Sequence, residues 1–305
     1  MEAIDYVVTY VDSSDPNWKD LYRKRMHGLD PISNSRRYRD MNTIMYAIRS
    51  IEKFIPWINH IYFVVQSESQ IPNWLNRDNP KIKIVYHEDY IPREFLPTFN
   101  SNVIEMFMHK LPGLSKNFIL ANDDMIIVKP LSPEHFFMDE KPVDPGIIAN
   151  RNYALENNKT FKHIKYNCAK LASELANSKE LILYSNYHLP MAHSLDIWNE
   201  VWAKASKEII QGLKNSPKRT IRNYNHWLFR YYGLLTGKYF VSPEINKSGY
   251  MGLNDNTILF EITERISKSE MICLNDAVKD NSDEIYRIVN LSLSKILPDK
   301  SSFEV

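Results

Sequence analysis

Residues 117–128 have the sequence NFILANDDMIIV, which is two apolar runs joined by an acidic turn. Short apolar runs of this kind are typical of buried strands. Adjacent carboxylates such as Asp123 and Asp124 are costly to place near a core unless a cation or hydrogen bonds satisfy them. Mg²⁺ and Mn²⁺ prefer carboxylate oxygens, whereas Asn-Asp-Asp also suits an ordinary solvated turn. The sequence leaves both interpretations open at this point.

The sequence before this turn alternates strand-like and helical patterns. The strand-like runs are residues 4–11, 60–65 and 81–86, and the helical patterns are residues 42–54 and 101–110. Strands that alternate with helices are typical of an α/β fold with a mainly parallel sheet flanked by helices. Ligands bind beyond the carboxyl ends of the strands in such sheets. Two acidic clusters, Asp12 with Asp15 and Asp123 with Asp124, are predicted to lie there.

The second half of the chain carries a weaker pattern. Amphipathic helices are predicted over residues 161–185, 192–215 and 283–297, and the aromatic-rich stretch 227–235 fits either a helix or a strand. The predicted organisation is an α/β core over residues 1–130, a mostly helical region over 131–270 and a C-terminal segment over 271–305. The second region is expected to pack on the first.

Composition excludes several classes of protein. The chain has 305 residues, 38 Lys+Arg against 37 Asp+Glu, and a formal net charge of +1, which argues against binding nucleic acid by bulk electrostatics. Its two cysteines, Cys168 and Cys273, exclude a disulfide scaffold and a cysteine-only zinc cluster. Neither glycine-rich phosphate-binding motif occurs. Without a signal peptide or a run of about twenty apolar residues, a cytoplasmic protein is predicted.

Histidines and arginines supply further candidates. His188 and His193 flank a proline-containing turn, and histidine titrates near neutrality, so this turn is a candidate source of a general base. A lone histidine is more often structural. Arginines at 36, 37 and 39 and at 219 and 222 offer planar phosphate donors, although loop arginines are usually just solvated. The residues alone indicate an α/β enzyme that acts on a phosphate-bearing, metal-associated substrate.

Four blocks of the sequence share their order and content with a known family. The blocks are residues 4–16; a long series of segments from Arg37-Tyr38-Arg39-Asp40 to residues 120–125; His188-Leu189-Pro190, followed by Arg219 and Asn223; and Cys273-Leu274-Asn275-Asp276. In these blocks the chain resembles the Stealth proteins. That family includes bacterial capsule and cell-surface polysaccharide sugar-1-phosphate transferases and the catalytic subunit of the animal lysosomal-enzyme N-acetylglucosamine-1-phosphotransferase.

The resemblance implies a Rossmann-like, GT-A-like sheet and a phosphotransferase reaction. Hexose-1-phosphate, N-acetylhexosamine-1-phosphate in particular, would pass from a UDP-sugar to a hydroxyl of an acceptor glycan, releasing UMP and forming a phosphodiester in capsular or exopolysaccharide synthesis. The acceptor would be a glycan or a lipid-linked oligosaccharide reached at the inner membrane face. By this resemblance residues 1–130 bind the nucleotide sugar, 131–270 provide acceptor binding and catalysis, and 271–305 return to the active site.

The resemblance also implies residue roles. His188 would accept the proton of the acceptor hydroxyl, and Arg219, or else Arg222, would stabilise charge on the transferred phosphoryl group. Mg²⁺ or Mn²⁺ would be held by Asp123 and Asp124, with help from Asn275 or Asp276. Asp124 would also count among the catalytic residues. The uridine would contact Tyr10, Val11, Asp12, Arg39, Asp40 and Gln66, and the diphosphate or sugar would contact Asn100, Ser101 and Asn102.

Two positions depart from the family pattern. Asn223 stands where the family usually has an acid four residues after its arginine, and Ala277 follows Asn275-Asp276 where another asparagine is common. These departures leave the contacts of the third block open, including the choice between Arg219 and Arg222.

Two other functions fit part of the sequence. One is an ordinary metal-dependent GT-A glycosyltransferase, in which attack falls on the anomeric carbon and UDP is released. The sequence separates it from a phosphotransferase only through the third and fourth blocks. The other is a non-catalytic nucleotide-sugar-binding module whose acidic turns are capping features.

Overall fold

The computed structural model describes residues 2–31, 38–144, 147–149, 159–179, 181, 183–185, 188–242 and 249–305. Arg36 and Arg37 lie outside the described residues. The strands are β1 (Ile4–Thr9), β2 (Ile61–Val65), β3 (Ile82–Tyr86), β4 (Asn117–Asn122), β5 (Met125–Ile127), β6 (Phe137–Met138), β7 (Lys141–Asp144), β8 (Ile147–Ala149), β9 (Leu183–Ser185), β10 (Met191–Ser194), β11 (Phe240–Val241), β12 (Tyr250–Leu253) and β13 (Met271–Asp276). The helices are α1 (Pro16–Arg25), α2 (Thr43–Phe54), α3 (His87–Tyr90), α4 (Ser101–Met106), α5 (Thr160–Leu175), α6 (Leu195–Leu213), α7 (Trp227–Leu235), α8 (Leu259–Lys268) and α9 (Ser282–Ser294).

The central sheet has the strand order β10-β4-β1-β2-β3. Strands β4, β1, β2 and β3 are parallel, and β10 pairs antiparallel with β4, with Met191 opposite Leu120. The predicted α/β class with a mainly parallel sheet is therefore confirmed. Because parallel strands run in one direction, the residues that follow β1, β2, β3 and β4 meet at one edge of this sheet.

Strand β1 is buried along almost its whole length because protein covers both faces of the sheet. Tyr6 and Val8 belong to the apolar cluster that contains α2, whereas Val7 belongs to the cluster on the opposite face, with Phe118. A parallel strand covered on both faces is a nearly continuous apolar run rather than an alternating one. This explains the uninterrupted apolar pattern that predicted β1.

Helix α2 follows the predicted pattern closely. Ile44, Ile48 and Ile51 are buried on one face, at intervals of three and four residues. The helix ends at Phe54, two residues before Pro56, whose ring and missing N–H cannot continue a helix. The buried face packs against β5 and fixes the strand that follows the acidic turn.

A second, smaller sheet has the order β12-β13-β5. Strand β13 pairs antiparallel with β5, with Cys273 opposite Met125, and parallel with β12. Met125 immediately follows the turn that carries Asp123 and Asp124, so this pairing brings the C-terminal part of the chain beside that turn.

Two helix predictions in the second half are partly wrong. Residues 192–194 form most of β10, because antiparallel pairing with β4 in the core outweighs local helix preference; helix α6 starts only at Leu195. The described residues 176–179, 181 and 183–185 are not helical: α5 ends at Leu175, and Asn177 takes a left-handed φ of 50°, a common helix-stop conformation. The region 131–270 thus contributes strands as well as helices.

Residues 227–235, whose sequence fitted either a helix or a strand, form the helix α7. Its residues from Trp227 to Gly233 are all buried, which removes the one-sided pattern by which a surface helix is recognised. Within the described part of the chain, no helix is long and apolar enough to cross a bilayer.

Candidate active site

A crevice opens at the carboxyl edge of the central sheet. Tyr10 and Val11 line it after β1, Gln66 after β2, His87 after β3 and Asp123 after β4. The position of the crevice follows from the parallel strands, as the sequence predicted. Loops from distant parts of the chain close it on the other side.

Arg219 lies on the wall of the crevice opposite the strand ends. Its Nε and Nη2 both donate to the hydroxyl oxygen of Ser101, the first residue of α4, at 3.0 and 2.5 Å. Arg222 is exposed, and the crevice lining contains Arg219 and does not contain Arg222 among the described residues. The geometry favours Arg219 where the sequence left the two arginines as alternatives.

Asn100 and Asn102 hold the loop that carries Arg219. Asn100 is fully buried; its side-chain oxygen accepts from the backbone N–H of Asn102, and its Nδ2 donates to Oδ1 of Asn223 at 2.9 Å. The same Oδ1 accepts from the backbone N–H of Thr220, and Nδ2 of Asn223 donates to the carbonyl of Gly212. Asn223, which departs from the family pattern, therefore anchors the arginine loop to α4.

The acidic turn, the loop before β10 and β13 meet in one cluster. Ligand atoms of Asp124, His188 and Cys273 all lie within 4.8 Å of one another. The Cys273 thiol donates to Oδ2 of Asp124 at 3.3 Å, and Nδ2 of Asn122 lies 3.3 Å from Nε2 of His188. Asp124 and His188, separated by 64 positions in the chain, are thus neighbours, as the shared role implied for them requires.

The acidic turn brings the carboxyl groups of Asp123 and Asp124 close together in a buried position. Burial raises the pKa of the Asp123 carboxyl well above its ordinary value, and the carboxylates of Asp124 and Asp40 raise it further. Oδ1 of Asp124 is buried without a hydrogen-bond partner in the described part of the chain. A divalent cation would satisfy both groups, so these residues fit Mg²⁺ or Mn²⁺.

The surroundings of His188 shift the pKa of its imidazole downwards. Its side chain keeps contact with solvent, yet the surrounding protein lowers its pKa, and the positive charge of Arg219 lowers it further while Asp124 opposes the shift. The ring of Tyr250 lies edge-on to it, with ring centroids 6.4 Å apart. A lowered pKa favours the neutral imidazole, which is the form that a general base requires, and His188 contacts Asn122 of the crevice lining.

Asp40 contacts the crevice indirectly, through a hydrogen bond with Tyr10. The Tyr10 hydroxyl donates to Oδ2 of Asp40 at 2.7 Å, and Oδ1 of Asp40 accepts from the backbone N–H of Asn42 at 2.6 Å. Burial raises the pKa of Asp40, and burial together with that carboxylate raises the pKa of Tyr10. Asp40 orients Tyr10, which lines the crevice.

Three further candidates engage other protein groups. Nε and Nη2 of Arg39 donate to the two carboxylate oxygens of Asp276, both at 2.7 Å, and Nη2 also donates to the carbonyl of Val278. The hydroxyl of Tyr250 donates to Oδ1 of Asn275 at 3.3 Å. The three-residue cluster of His, Cys, Asp and Glu ligands found in the described part of the chain does not include Asp276. In this structure Asp276 acts as the partner of Arg39.

Asp12 takes the turn role that was its alternative interpretation. Its carboxylate accepts from the backbone N–H of Ser14 at 2.7 Å and from the Ser14 hydroxyl at 2.8 Å. Its backbone N–H donates to the side chain of Gln70. Asp15 likewise caps α1 by accepting from the backbone N–H of Asn17. These contacts shape the loop after Val11.

Sequence reasoning assigned no role to two residues of the site. Cys273 entered the sequence analysis in the exclusion of cysteine-rich classes and as part of the fourth block, without a role of its own, although it contacts Asp124. His87 follows β3 directly, is buried, and has a pKa lowered by burial to about 3. The strand-end rule that pointed to Asp12 and Asp123 points equally to His87, so that signal was present in the sequence.

The comparisons with known proteins agree with this geometry. The family model of Stealth protein CR2, conserved region 2, matches residues 37–144. The chain is 35% identical to the capsular polysaccharide phosphotransferase WcwK of Streptococcus pneumoniae, over 100% of this chain and 98% of that relative. The chain belongs to the Stealth family. It is also 29% identical to the receptor polysaccharide phosphotransferase WefC of Streptococcus oralis over the full length of both.

Membership of the Stealth family makes this chain a transferase, as predicted. The matched region, residues 37–144, contains Arg39, Asp40, Gln66, the helix α4 and the acidic turn, so it supplies one side of the crevice. The Stealth chain is only weakly similar to the solved galactosyltransferase LgtC, with 12% identity and a TM-score of 0.41 over 95% of each chain.

Proposed function

We propose that this Stealth chain transfers hexose-1-phosphate, N-acetylhexosamine-1-phosphate in particular, from a UDP-sugar to a hydroxyl of an acceptor glycan. UMP is released, and the product is a phosphodiester in a capsular or other surface polysaccharide. The observation that carries the proposal is that His188 lies beside Asp124 and within the electrostatic reach of Arg219, which lines the crevice together with Asp123. The names of the relatives WcwK and WefC, both polysaccharide phosphotransferases, support it.

The donor nucleotide is proposed to lie along the strand ends. Oε1 of Gln66 and Nδ1 of His87 are buried in the crevice wall without hydrogen-bond partners in the described part of the chain. Buried polar atoms are nearly always paired in a folded protein, so a bound ligand is expected to supply their partners. The ribose hydroxyls, the N3–H and the two carbonyl oxygens of a uridine offer both donors and acceptors. Tyr10 and Val11 would contact the same moiety.

Charge on the diphosphate is proposed to be balanced from two sides. The Arg219 guanidinium, oriented by Ser101, would donate to the oxygens of the transferred phosphoryl group. Asp123 and Asp124 would hold Mg²⁺ or Mn²⁺, which supplies neutralisation of the diphosphate and of the departing UMP. Asn100 and Asn102 would act through the loop that they anchor, because their amides are occupied by Asn223.

His188 is proposed to be the general base. The acceptor hydroxyl would lose its proton to the imidazole while its oxygen forms a bond to the sugar-bearing phosphorus. The bond from that phosphorus to the bridging oxygen breaks, and the electron pair leaves with UMP. The bond between the anomeric carbon and its oxygen stays intact, so the anomeric configuration is retained. Positioning and charge balance are the main tasks of a protein in such transfers.

Analysis of the products tests the proposal. The purified chain is incubated with a panel of UDP-sugars, a glycan or lipid-linked oligosaccharide acceptor, and Mg²⁺ or Mn²⁺. The expected products are UMP, identified by chromatography, and a phosphodiester signal in the ³¹P spectrum of the glycan. Release of UDP with a plain glycosidic product would instead identify an ordinary glycosyltransferase. Tight binding of a UDP-sugar without turnover on any acceptor would identify a binding module.

A further inference from the structure

The cluster beside the crevice contains a thiol that the proposed reaction does not use. It combines a carboxylate, an imidazole and a thiol, from Asp124 in the turn after β4, His188 before β10 and Cys273 in β13. The Sγ of Cys273 lies 3.3 Å from Oδ2 of Asp124, and all three ligand atoms lie within 4.8 Å of one another. Ligand atoms around a tetrahedral zinc ion lie roughly 3.3–3.7 Å apart, given metal–ligand bonds of about 2.0–2.3 Å. Side-chain movements that shift these three ligand atoms by a few tenths of an ångström to about 1 Å would bring them to that spacing.

The ligand types discriminate between cations. Thiolate and imidazole are preferred ligands of Zn²⁺, whereas Mg²⁺ takes oxygen ligands and keeps several waters. The proposed Mg²⁺ or Mn²⁺ ligands are the two carboxylates of the turn, Asp123 and Asp124. Asp124 belongs to both sets, so the two kinds of cation would compete for it.

We infer that Asp124, His188 and Cys273 form a binding site for a soft divalent cation, Zn²⁺ above all, and that its occupation switches the transferase off. The inhibition rests on the proposed function, because a bound Zn²⁺ would occupy the proposed base, His188, and a proposed Mg²⁺ ligand, Asp124. The thiol proton leaves to solvent when the sulfur binds the ion. Three protein ligands would leave a fourth tetrahedral position for water or a phosphate oxygen.

The second cysteine of the chain provides a matched control. Cys168 is also buried and free, but its sulfur contacts the backbone and side chain of Asn225. The ligand cluster found among the described residues does not include it. A change at Cys168 therefore removes a buried thiol of the same kind without touching the cluster.

Cobalt provides a direct readout of the sulfur ligand, because Co²⁺ bound to a thiolate shows an intense near-ultraviolet charge-transfer band. The full chain is titrated with Co²⁺ and, separately, with Zn²⁺ in a calorimeter. We expect one ion per chain, displacement of Co²⁺ by Zn²⁺, and a thiolate band that Cys168→Ala retains and Cys273→Ser loses. Loss of an outer-shell partner alone costs roughly 10–100-fold in metal affinity, so Cys273→Ser should weaken Zn²⁺ binding by at least that factor.

Three results would overturn the inference. The first is that the chain binds no stoichiometric Zn²⁺, and the second is that the thiolate band persists in Cys273→Ser. The third is that Zn²⁺, equimolar with the chain, leaves Mg²⁺-supported transfer unchanged. Asp123→Asn separates the two cations, because it should weaken Mg²⁺ support while the thiolate band remains. A chain that releases UMP but binds no Zn²⁺ contradicts only this inference. A chain that shows the thiolate band but transfers no sugar phosphate supports the cation site and contradicts the proposed function.

Discussion

Both Nε and Nη2 of Arg219 donate to the single hydroxyl oxygen of Ser101, at 3.0 and 2.5 Å. This contact ties the loop that carries the arginine to the first turn of α4 and aims the guanidinium at the crevice.

Ser101→Ala should therefore lower kcat, because a guanidinium that loses this partner is less well aligned with the phosphoryl oxygens. Misplacement of a reacting group by about 1 Å costs up to roughly 100-fold in rate, and we expect a loss of about 10- to 100-fold. Steady-state kinetics of UMP release provide the measurement. Ser101→Thr, which keeps the hydroxyl, should recover most of the activity, and Ser294→Ala on α9 is the control. Equal kinetics for Ser101→Ala and the unmodified chain would show that the contact has no positioning role.

The choice between the two arginines can be decided by a pair of variants. Arg219 lines the crevice, and Arg222 is exposed. Removing one donor to the charge that develops in a transition state costs about 100- to 1,000-fold in kcat, so Arg219→Ala should show a loss of that size. Arg222→Ala should change kcat by less than about threefold, as surface substitutions usually do. The reverse pattern would assign the role to Arg222 and contradict the geometry described for the crevice.

His188→Ala should abolish transfer while UDP-sugar binding is kept within a few-fold. General base catalysis contributes about 100- to 10,000-fold, and the donor is proposed to lie on the strand ends, away from this side chain. Turnover is measured as UMP release, and donor affinity by calorimetry. His27→Asn is the control, since His27 is exposed, does not belong to the crevice lining, and has a positive φ of 54° that asparagine tolerates. Unchanged turnover in His188→Ala would remove it as the base.

Asp124→Asn should remove both activity and its dependence on Mg²⁺ or Mn²⁺. The proposed cation site would lose one of its two carboxylates, and a neutral amide oxygen is a much weaker ligand for a hard cation. Activity is measured across a Mg²⁺ titration, with and without a chelator. Asp255→Asn is the matched control, because the Asp255 carboxylate accepts from the backbone N–H groups of Asp280 and Asn281 ahead of α9. If chelator leaves the unmodified chain fully active, the assignment of a cation to this turn fails.

Glu105 makes the stability of the fold depend on pH. It is buried in α4, and burial raises its pKa from 4.5 to about 7, although Arg219 and Ser101 act to lower it. The folded chain thus binds this proton more tightly than the unfolded chain. The resulting stabilisation is complete below about pH 4.5 and is lost as the pH rises through about 7.

Glu105→Gln should remove that loss, because the amide does not titrate. The free energy of unfolding of Glu105→Gln minus that of the unmodified chain should therefore be larger at pH 8 than at pH 5, by up to about 3 kcal/mol. This is the linkage value of a pKa shift of this size. Urea unfolding at both pH values gives the difference, and the exposed Glu284→Gln serves as the reference. A difference between Glu105→Gln and the unmodified chain that is the same at both pH values would show that Glu105 titrates normally.

The parallel core was predictable because its signals are local. Strand β1 and helix α2 each carry their own periodicity, and a parallel arrangement fixes where their polar ends meet. Strand β10 was not predictable in this way. Its four residues have no strand pattern of their own, and they form a strand only because β4 lies beside them.

The candidate site shows the same division. The acidic turn and His188 were recognised from residue type and family pattern, and the structure brings them together. The contact from Cys273 to Asp124 spans 149 positions, and the ion pair from Arg39 to Asp276 spans 237. No local rule relates residues at such separations, so neither the contact of Cys273 with Asp124 nor the ion pair of Arg39 with Asp276 could be predicted from the sequence.

The antiparallel pairing of β10 with β4 has a consequence for tolerance to insertions. Met191 is held opposite Leu120, and His188 precedes that pairing by only three residues. The register of β10 against β4 therefore sets the position of the imidazole relative to the acidic turn, and the length of the chain before His188 does not. Segments added or deleted upstream of His188 can vary among natural variants with little effect on the gap between base and carboxylates, whereas a single residue inserted between Pro190 and Met191 would shift that gap by about 3 Å.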